Sequence, residues 1–140
     1  MWNCPTCKRT FKSKNQYHSC FVSDKAYHLK RMNEKIQLIF EALLTHLDTY
    51  ESISIIYLKT CVKINTHATF LSVYTKQNSL ELEFQLDRKE DIFPISFCQR
   101  ISKNRVLHRV VLGELSEFDD QIRAWVNDAY CLIEKKTTDN

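Results

Sequence analysis

Seven consecutive residues, Leu80–Leu86, alternate strictly between apolar and polar in the order Leu-Glu-Leu-Glu-Phe-Gln-Leu. A β-strand points successive side chains to opposite faces, so this pattern predicts a strand with one face in a core and the other in water. Residues 76–79 precede it and follow another β-branched run, which predicts a hairpin turn with Asn78 in the left-handed conformation. The buried face of such a sheet must be covered by other elements.

Two amphipathic segments supply that cover, and the strand-like runs lie between them. Apolar residues recur at steps of three and four between Leu29 and Leu47, which predicts a helix of about five turns, with Ser23 or Asp24 as its N-cap. A second helix is predicted from Ser116 onward. Its apolar stripe consists of Phe118, Ile122, Trp125, Val126, Ala129, Leu132 and Ile133.

Strand-like runs occupy residues 53–58, 70–75, 80–86, 95–97 and 105–112. Strands grouped between two helices are typical of an α+β fold rather than a doubly wound parallel sheet. We therefore expect an antiparallel sheet of about four to five strands, flanked by an N-terminal and a C-terminal helix and preceded by a small zinc knuckle. The expected division is a knuckle over 1–22, an α+β domain over 23–136 and a frayed tail over 137–140.

The chain has 140 residues, of which 44% are hydrophobic and 26% charged, as in ordinary globular domains. No apolar run approaches the roughly 18 residues that span a bilayer, and the first residues lack the order of a signal peptide. We expect a soluble cytoplasmic protein. Because that compartment keeps thiols reduced, the six cysteines indicate metal ligands or buried thiols. The isolated Cys61, Cys98 and Cys131 are predicted to be small buried hydrophobes.

The remaining three cysteines lie with a histidine in the first twenty residues. Cys4-Pro5-Thr6-Cys7 forms a Cys-x2-Cys turn, and His18-Ser19-Cys20 offers a second pair at i and i+2. Thiolate and imidazole are the ligands that structural zinc prefers, and four protein ligands leave no open position for catalysis. The predicted zinc ligands are therefore Cys4, Cys7, His18 and Cys20, with Trp2, Phe11 and Tyr17 as a small apolar shell.

A rival ligand set follows from the spacing of Cys7, Phe11, Tyr17 and Cys20, which matches a Cys2His2 finger with Cys20 at the first histidine position. The fourth ligand would then lie three to five residues beyond Cys20. Asp24 is the candidate there, since His28 is too distant. On the favoured assignment, His28→Ala is expected neither to lose zinc nor to loosen the first helix.

Three patterns together resemble a bacterial family catalogued as domain of unknown function 5655. They are Trp2-x-Cys4-Pro5-x-Cys7-x-Arg9-x-Phe11, then Asn15-Gln16-x-His18-x-Cys20, and near the C-terminus Trp125-Val126-Asn127-Asp128-Ala129-Tyr130. The resemblance implies a Cys/His knuckle joined to a helix, an antiparallel sheet and a closing helix. One departure is Lys8 in place of glycine. The family has no assigned activity, so the resemblance leaves function open.

Charge is distributed unevenly. Residues 1–35 hold eight Lys/Arg against two Asp/Glu, whereas residues 36–140 hold twelve against fifteen, so the two parts differ as +6 and −3. This asymmetry is consistent with a nucleic-acid-binding N-terminus, or with a solvated basic surface on a structural knuckle. For the former, Phe11 or Tyr17 would stack on an unpaired base. The phosphate contacts would be Lys8, Arg9, Lys12 and Lys14.

Two other functions are open. An enzyme or small-anion-binding protein would use the basic strand with Lys103, Arg105 and Arg109, while His108 points to the opposite face as a core residue. A chain with one glycine has no Gly-rich phosphate loop. A protein-interaction module would use the face or edge of the sheet to bind a peptide or a second copy. The favoured interpretation is a zinc-binding interaction module with an anionic partner.

Overall fold

The computed structural model describes residues 1–5, 10–17 and 23–138. A short hairpin, β1 (Trp2–Asn3) with β2 (Thr10–Phe11), comes first, followed by helices α1 (Lys25–Arg31) and α2 (Glu34–Leu47). The strands that follow are β3 (Ser54–Tyr57), β4 (Cys61–Asn65), β5 (Thr69–Thr75), β6 (Leu80–Leu86), β7 (Ile95–Ser102) and β8 (Arg105–Leu112). A 3₁₀ turn (Leu115–Glu117) and helix α3 (Asp120–Thr138) complete the described fold.

The six strands β3 to β8 form one antiparallel sheet in the order β3-β4-β5-β6-β8-β7. The α+β class and the antiparallel sheet are confirmed, and the sheet has one strand more than expected. The missed strand is β4, in which Lys63 interrupts an otherwise apolar run. Val62 and Ile64 alternate into the core on either side of it. β7 extends to Ser102, five residues beyond the predicted run.

Helices α2 and α3 supply the apolar side chains that cover one face of the sheet. In β6 the apolar residues of the alternation are all buried and the polar ones are half-buried, as the pattern predicts. Trp125 of α3 is 1% exposed, and its ring centroid lies 6.2 Å from that of Phe84. Burial of this indole and of the α2 stripe makes one continuous core between helices and sheet.

The helix predicted between Leu29 and Leu47 is interrupted. Asn33 accepts a hydrogen bond from the Ile36 amide through its side chain at 3.0 Å, which caps the start of α2. Its own backbone N–H donates to the carbonyl of Gln77 at 3.1 Å. A hydrogen bond to the β5–β6 turn thus replaces the one that a continuous helix would make. The predicted cap of α1 is confirmed as Asp24, which accepts from the Tyr27 amide.

Two local predictions need correction. The β5–β6 hairpin is present, but Asn78 is not left-handed; the described non-glycine residues with positive φ are Asn15 (58°) and Ser52 (56°). The last helix begins at Asp120 rather than Ser116, because Asp119 accepts from the Ile122 amide at 3.2 Å after the 3₁₀ turn. It runs to Thr138, so it includes two residues of the expected frayed tail, whose last two lie outside the described residues.

The three isolated cysteines differ in burial. Cys61 is buried, as predicted, whereas Cys98 is half-buried and Cys131 is exposed. Cys131 lies on α3, two residues after the buried Ala129. Residues of a helix share a face when they are three or four positions apart, so Cys131 points away from the core. In the described part of the chain, no helix is both long and apolar enough to cross a bilayer.

Candidate binding site

The β1–β2 hairpin holds the first predicted zinc ligand. Cys4 directly follows β1 and is 3% exposed. The other three predicted ligands, Cys7, His18 and Cys20, lie outside the described residues, as do the basic Lys8 and Arg9. Within the described ranges no three His, Cys, Asp or Glu side chains group closely enough to hold a metal. The zinc ligand set therefore remains a prediction.

The rival ligands are occupied elsewhere in the fold. Asp24 Oδ1 accepts the Tyr27 amide at 2.9 Å and caps α1. His28 is fully buried, with Nδ1 2.6 Å from Thr75 Oγ1 and Nε2 2.6 Å from the Leu58 carbonyl oxygen. Since both ring nitrogens are hydrogen-bonded, neither is free for a metal. These contacts join α1 to the sheet, so His28→Ala is now expected to loosen the first helix.

The aromatic residues of the N-terminus fall into two groups. The rings of Trp2 and Phe11 pack across the β1–β2 hairpin with centroids 5.9 Å apart. Tyr17 is 99% exposed, so its predicted place in the apolar shell is wrong. It ends the segment of residues 12–17, here called the basic loop. The Gln16 amide donates to the Ser13 carbonyl at 3.2 Å in this loop.

Lys12 and Lys14 of the basic loop are both exposed, and neither forms an ion pair with any described residue. Three other cations of the N-terminal part have structural partners. Lys25 pairs with Glu41 at 3.0 Å, and Arg31 donates to the Thr75 carbonyl at 3.0 Å. Lys35 pairs with Glu114. The basic loop therefore carries two exposed cations that form no ion pair with the described residues.

The basic strand does not form a common cradle for an anion. Arg109 Nη2 lies 2.7 Å from Glu83 Oε2 on the neighbouring strand, and its guanidinium carbon lies 5.3 Å from the ring centroid of Phe97. The hydrogen bond that Arg109 donates to Glu83 raises the pKa of Arg109 and holds its charge in a pair. Arg105 and Arg109 share the uncovered face of the sheet, whereas Lys103 lies in the β7–β8 turn.

His108 is a core residue, as predicted. It is fully buried, and its ring stacks on Phe84 with centroids 5.7 Å apart. The Glu90 backbone N–H donates to Nε2 at 2.9 Å, so Nδ1 carries the proton and donates to the Val106 carbonyl at 3.0 Å. Desolvation lowers the pKa of His108, although its hydrogen bond to Val106 opposes that effect. This neutral imidazole fixes the loop before β7 and has no free nitrogen for catalysis.

A polar network between α2 and α3 has no counterpart in the sequence predictions. His46 Nε2 lies 2.9 Å from the Tyr50 hydroxyl and 3.1 Å from Asn127 Oδ1. Tyr50 also donates to Asn127 and stacks on Tyr130 at 4.5 Å. Burial raises the pKa of Tyr50, so its phenol stays protonated at neutral pH. The network joins α2 to α3 through hydrogen bonds between side chains.

The uncovered face of the sheet carries charges that are mostly paired within the sheet. Lys63 donates to Ser72 at 2.9 Å, and Lys76 pairs with Glu81 at 2.9 Å. A hollow of about 200 Å³ lies on the sheet near Lys63 and Glu83. These contacts satisfy several polar groups of the face, whereas Arg109 Nε is buried there and has no hydrogen-bond partner in the described part of the chain.

The outer edge of the sheet differs from its face. β7 is eight residues long, and it lies outside β8 at the end of the strand order. Its exposed residues include Phe97 at 41% and Ile101 at 54%. The strand predicted from the sequence ends at residue 97, so it lacks most of this edge. The residues after Phe97 are mostly polar and exposed, so they show no apolar alternation that would predict a strand.

By its fold, this protein is an α+β domain with a six-stranded antiparallel sheet and its helices on one face. The family model for a domain of unknown function, DUF5655, matches residues 25–133, and the chain belongs to that family. The matched region begins at the first residue of α1, so residues 1–24 lie outside it. No curated protein and no solved structure matches the chain.

Proposed function

We propose that this chain is a zinc-binding module for single-stranded nucleic acid, with the basic loop as its contact surface. The observation that supports the proposal is the 99% exposure of Tyr17 beside the unpaired cations of the same loop. An aromatic ring in water beside lysines is the combination that stacks on an unpaired base and neutralises its phosphates. In this proposal Tyr17 stacks, and Lys8, Arg9, Lys12 and Lys14 contact phosphates.

The packing of the N-terminal hairpin favours Tyr17 over Phe11 as the stacking residue. Phe11 is half-buried and already packs against Trp2, so stacking on a base would break that contact. Tyr17 stacks at no such cost. A base stacked on an aromatic side chain contributes about 1–3 kcal/mol, which is comparable to what a few phosphate contacts supply.

Zinc has a structural role in this proposal. The predicted ligand pairs Cys4/Cys7 and His18/Cys20 bracket the basic loop in the sequence, so a bound ion would fix both of its ends. Three thiolates and one imidazole suit tetrahedral zinc, and the burial of Cys4 fits a thiolate shielded from water. Metal binding would then stabilise the loop that carries Tyr17 and supply no catalysis.

The test is fluorescence anisotropy with a labelled oligodeoxythymidine of about 12 nucleotides, a length within the usual site size for single-strand binders. Binding should weaken steeply with salt, with a logarithmic slope of about −0.7 for each neutralised phosphate. Tyr17→Ala should weaken binding at least about fivefold. Phe93→Ala is the matched control, because Phe93 is also an exposed aromatic, at 89%, on the loop before β7.

Charge is tested separately. The double substitution Lys12→Gln and Lys14→Gln should reduce the magnitude of the salt slope by about 1.4, because two phosphate contacts are lost. Lys89→Gln, an exposed lysine between β6 and β7, is the control and should leave the slope unchanged. An oligonucleotide that does not bind, or that binds equally to the Tyr17→Ala variant, would refute the proposal.

A further inference from the structure

We propose that the free edge of β7 binds an extended acidic segment of a partner protein by adding it to the sheet as a further strand. This inference concerns residues 95–102 rather than the basic loop, and it does not depend on nucleic-acid binding. It is supported by the topology of the sheet, the side chains exposed along the edge and the charge of the β7–β8 hairpin.

The sheet has two edges of unequal length. One edge is β3, with four residues, and the other is β7, with eight. No described strand pairs with the outer side of β7. A strand at the edge of a sheet presents unpaired N–H and C=O groups, and proteins that need to block such an edge keep it short or cover it. β7 is neither short nor covered by a described element.

The pairing with β8 shows which part of β7 can receive a strand. The register shifts between Ile95 and Phe97 and again between Arg100 and Ser102, whereas residues 97–100 pair regularly with residues 106–109. The exposed apolar residues Phe97 and Ile101 lie at the two ends of this regular stretch. An added strand would bury part of both side chains while it pairs with the backbone between them.

Charge indicates the chemistry of the partner. Residues 92–113 contain Arg100, Lys103, Arg105 and Arg109 and no aspartate or glutamate. Only Arg109 of these forms a described ion pair. Arg100 Nη1 instead donates to the Lys103 carbonyl at 2.9 Å, and Arg105 Nη1 donates to the Asn104 carbonyl at 3.1 Å. Three cations without carboxylate partners therefore surround the hairpin tip.

This charge favours an acidic peptide over a second copy of the chain. Two copies joined edge to edge would bring together two hairpins that each carry an excess of positive charge and no carboxylate of their own. An extended segment that alternates apolar and acidic residues would complement both features of the edge. A nucleic acid would match the cations but would leave the strand's amide and carbonyl groups unpaired.

The probe is a fluorescein-labelled peptide of alternating valine and glutamate, with anisotropy as the readout. Two peptides serve as controls: one with lysine in place of glutamate, and one with proline in place of valine, which removes the backbone N–H groups of alternate residues. We expect only the first peptide to bind. In a ¹⁵N–¹H spectrum of the full chain, its binding should shift amide signals of residues 95–102 and leave those of β3 unchanged.

The double charge reversal Arg100→Glu and Arg105→Glu should weaken peptide binding at least about tenfold. Lys30→Glu, an exposed lysine on α1, is the matched control and should bind as the wild type does. Circular dichroism checks the fold of the variants. If the double variant unfolds, the single variant Arg100→Gln takes its place. It should bind the peptide more weakly than the wild type does, and the amide shifts of the wild-type chain still locate the binding site.

Four outcomes would overturn the proposal: no peptide binding, equal binding of the proline or lysine peptide, amide shifts confined to residues outside β7, or unchanged binding by the charge-reversed chain. Sedimentation that shows a dimer abolished by Arg100→Glu would assign the edge to a second copy instead. The Tyr17→Ala variant should bind the peptide normally. Loss of one binding activity without the other therefore shows which proposal has failed.

Discussion

His28 Nδ1 lies 2.6 Å from the hydroxyl oxygen of Thr75, which joins α1 to β5 through a fully buried side chain. The opposite ring nitrogen, Nε2, lies 2.6 Å from the Leu58 carbonyl oxygen. A carbonyl can only accept, so Nε2 carries the proton and Nδ1 accepts from the threonine. The ring is thereby held in one neutral tautomer between three elements of the fold.

The substitution His28→Ala should lower the free energy of unfolding by about 2–4 kcal/mol, because it leaves a cavity and two polar groups without a partner. Urea unfolding followed by the fluorescence of the buried Trp125 would measure this change. His67→Ala is the control, since His67 is exposed in the turn between β4 and β5 and should change stability by less than about 0.5 kcal/mol. Equal midpoints for the two variants would contradict the role assigned to His28.

Stability should fall as the pH is lowered from about 7 toward 5. Burial lowers the pKa of His28, His46 and His108 below the ordinary value of 6.5. The unfolded chain therefore binds protons below pH 6.5 that the folded chain does not, and stability that is complete above that pH is lost on acidification. The limiting slope is about 1.4 kcal/mol per pH unit for each histidine.

Urea unfolding at several pH values in this range would measure the effect, and the ring-proton resonances of the histidines would report their titrations directly. A free energy of unfolding that stays constant between pH 7 and 5 would show that the three histidines are not held neutral by the fold.

The substitution Asn33→Ala should lower the free energy of unfolding by about 1 kcal/mol, the usual cost of losing an N-cap side chain. The side chain also donates to Asn78 at 3.1 Å, so its loss loosens the contact between α2 and the β5–β6 turn. Chemical denaturation is the measurement. Gln121→Ala is the control, because Gln121 has an exposed side chain on α3. A loss of stability in this variant as large as that in Asn33→Ala would contradict the role of Asn33 as the N-cap.

Cys4→Ser and Cys20→Ser should each abolish zinc binding and loosen α1. Native mass spectrometry of untagged protein, purified without a chelator, would show one zinc per wild-type chain and none in either variant. Cys131→Ser is the control, because Cys131 is exposed on α3, far along the chain from the predicted ligands. Zinc retained by both N-terminal variants would remove the basis for the knuckle.

The sheet was predictable where burial alone decides the sequence. In β6 and β8 the alternation of apolar and polar residues follows directly from one covered face, and His108 was placed correctly among the core residues. In β7 most side chains are exposed, so no pattern of burial marks the strand beyond residue 97. Backbone hydrogen bonds to β8 hold β7 in the sheet. Such bonds do not depend on side-chain identity, so the sequence does not indicate them.

The break between α1 and α2 was missed for a related reason. The apolar steps continue through Met32 and Ile36 as if one helix passed through them, and both residues are buried. The competing contact, from the Asn33 amide to Gln77, comes from a residue more than forty positions away. Likewise, the spacing of Tyr17 suggested a packed ring, whereas the fold leaves it in water.

The order of strands in the sheet has a consequence for how the chain is assembled. β7 precedes β8 in the sequence, yet β8 lies between β7 and β6. While the chain is being synthesised, β7 emerges first and has no neighbour in the sheet. Its described neighbour in the sheet is β8, so β7 can join the sheet only together with β8 or after it. The order of strands therefore keeps β7 without a place in the sheet until β8 has also been synthesised.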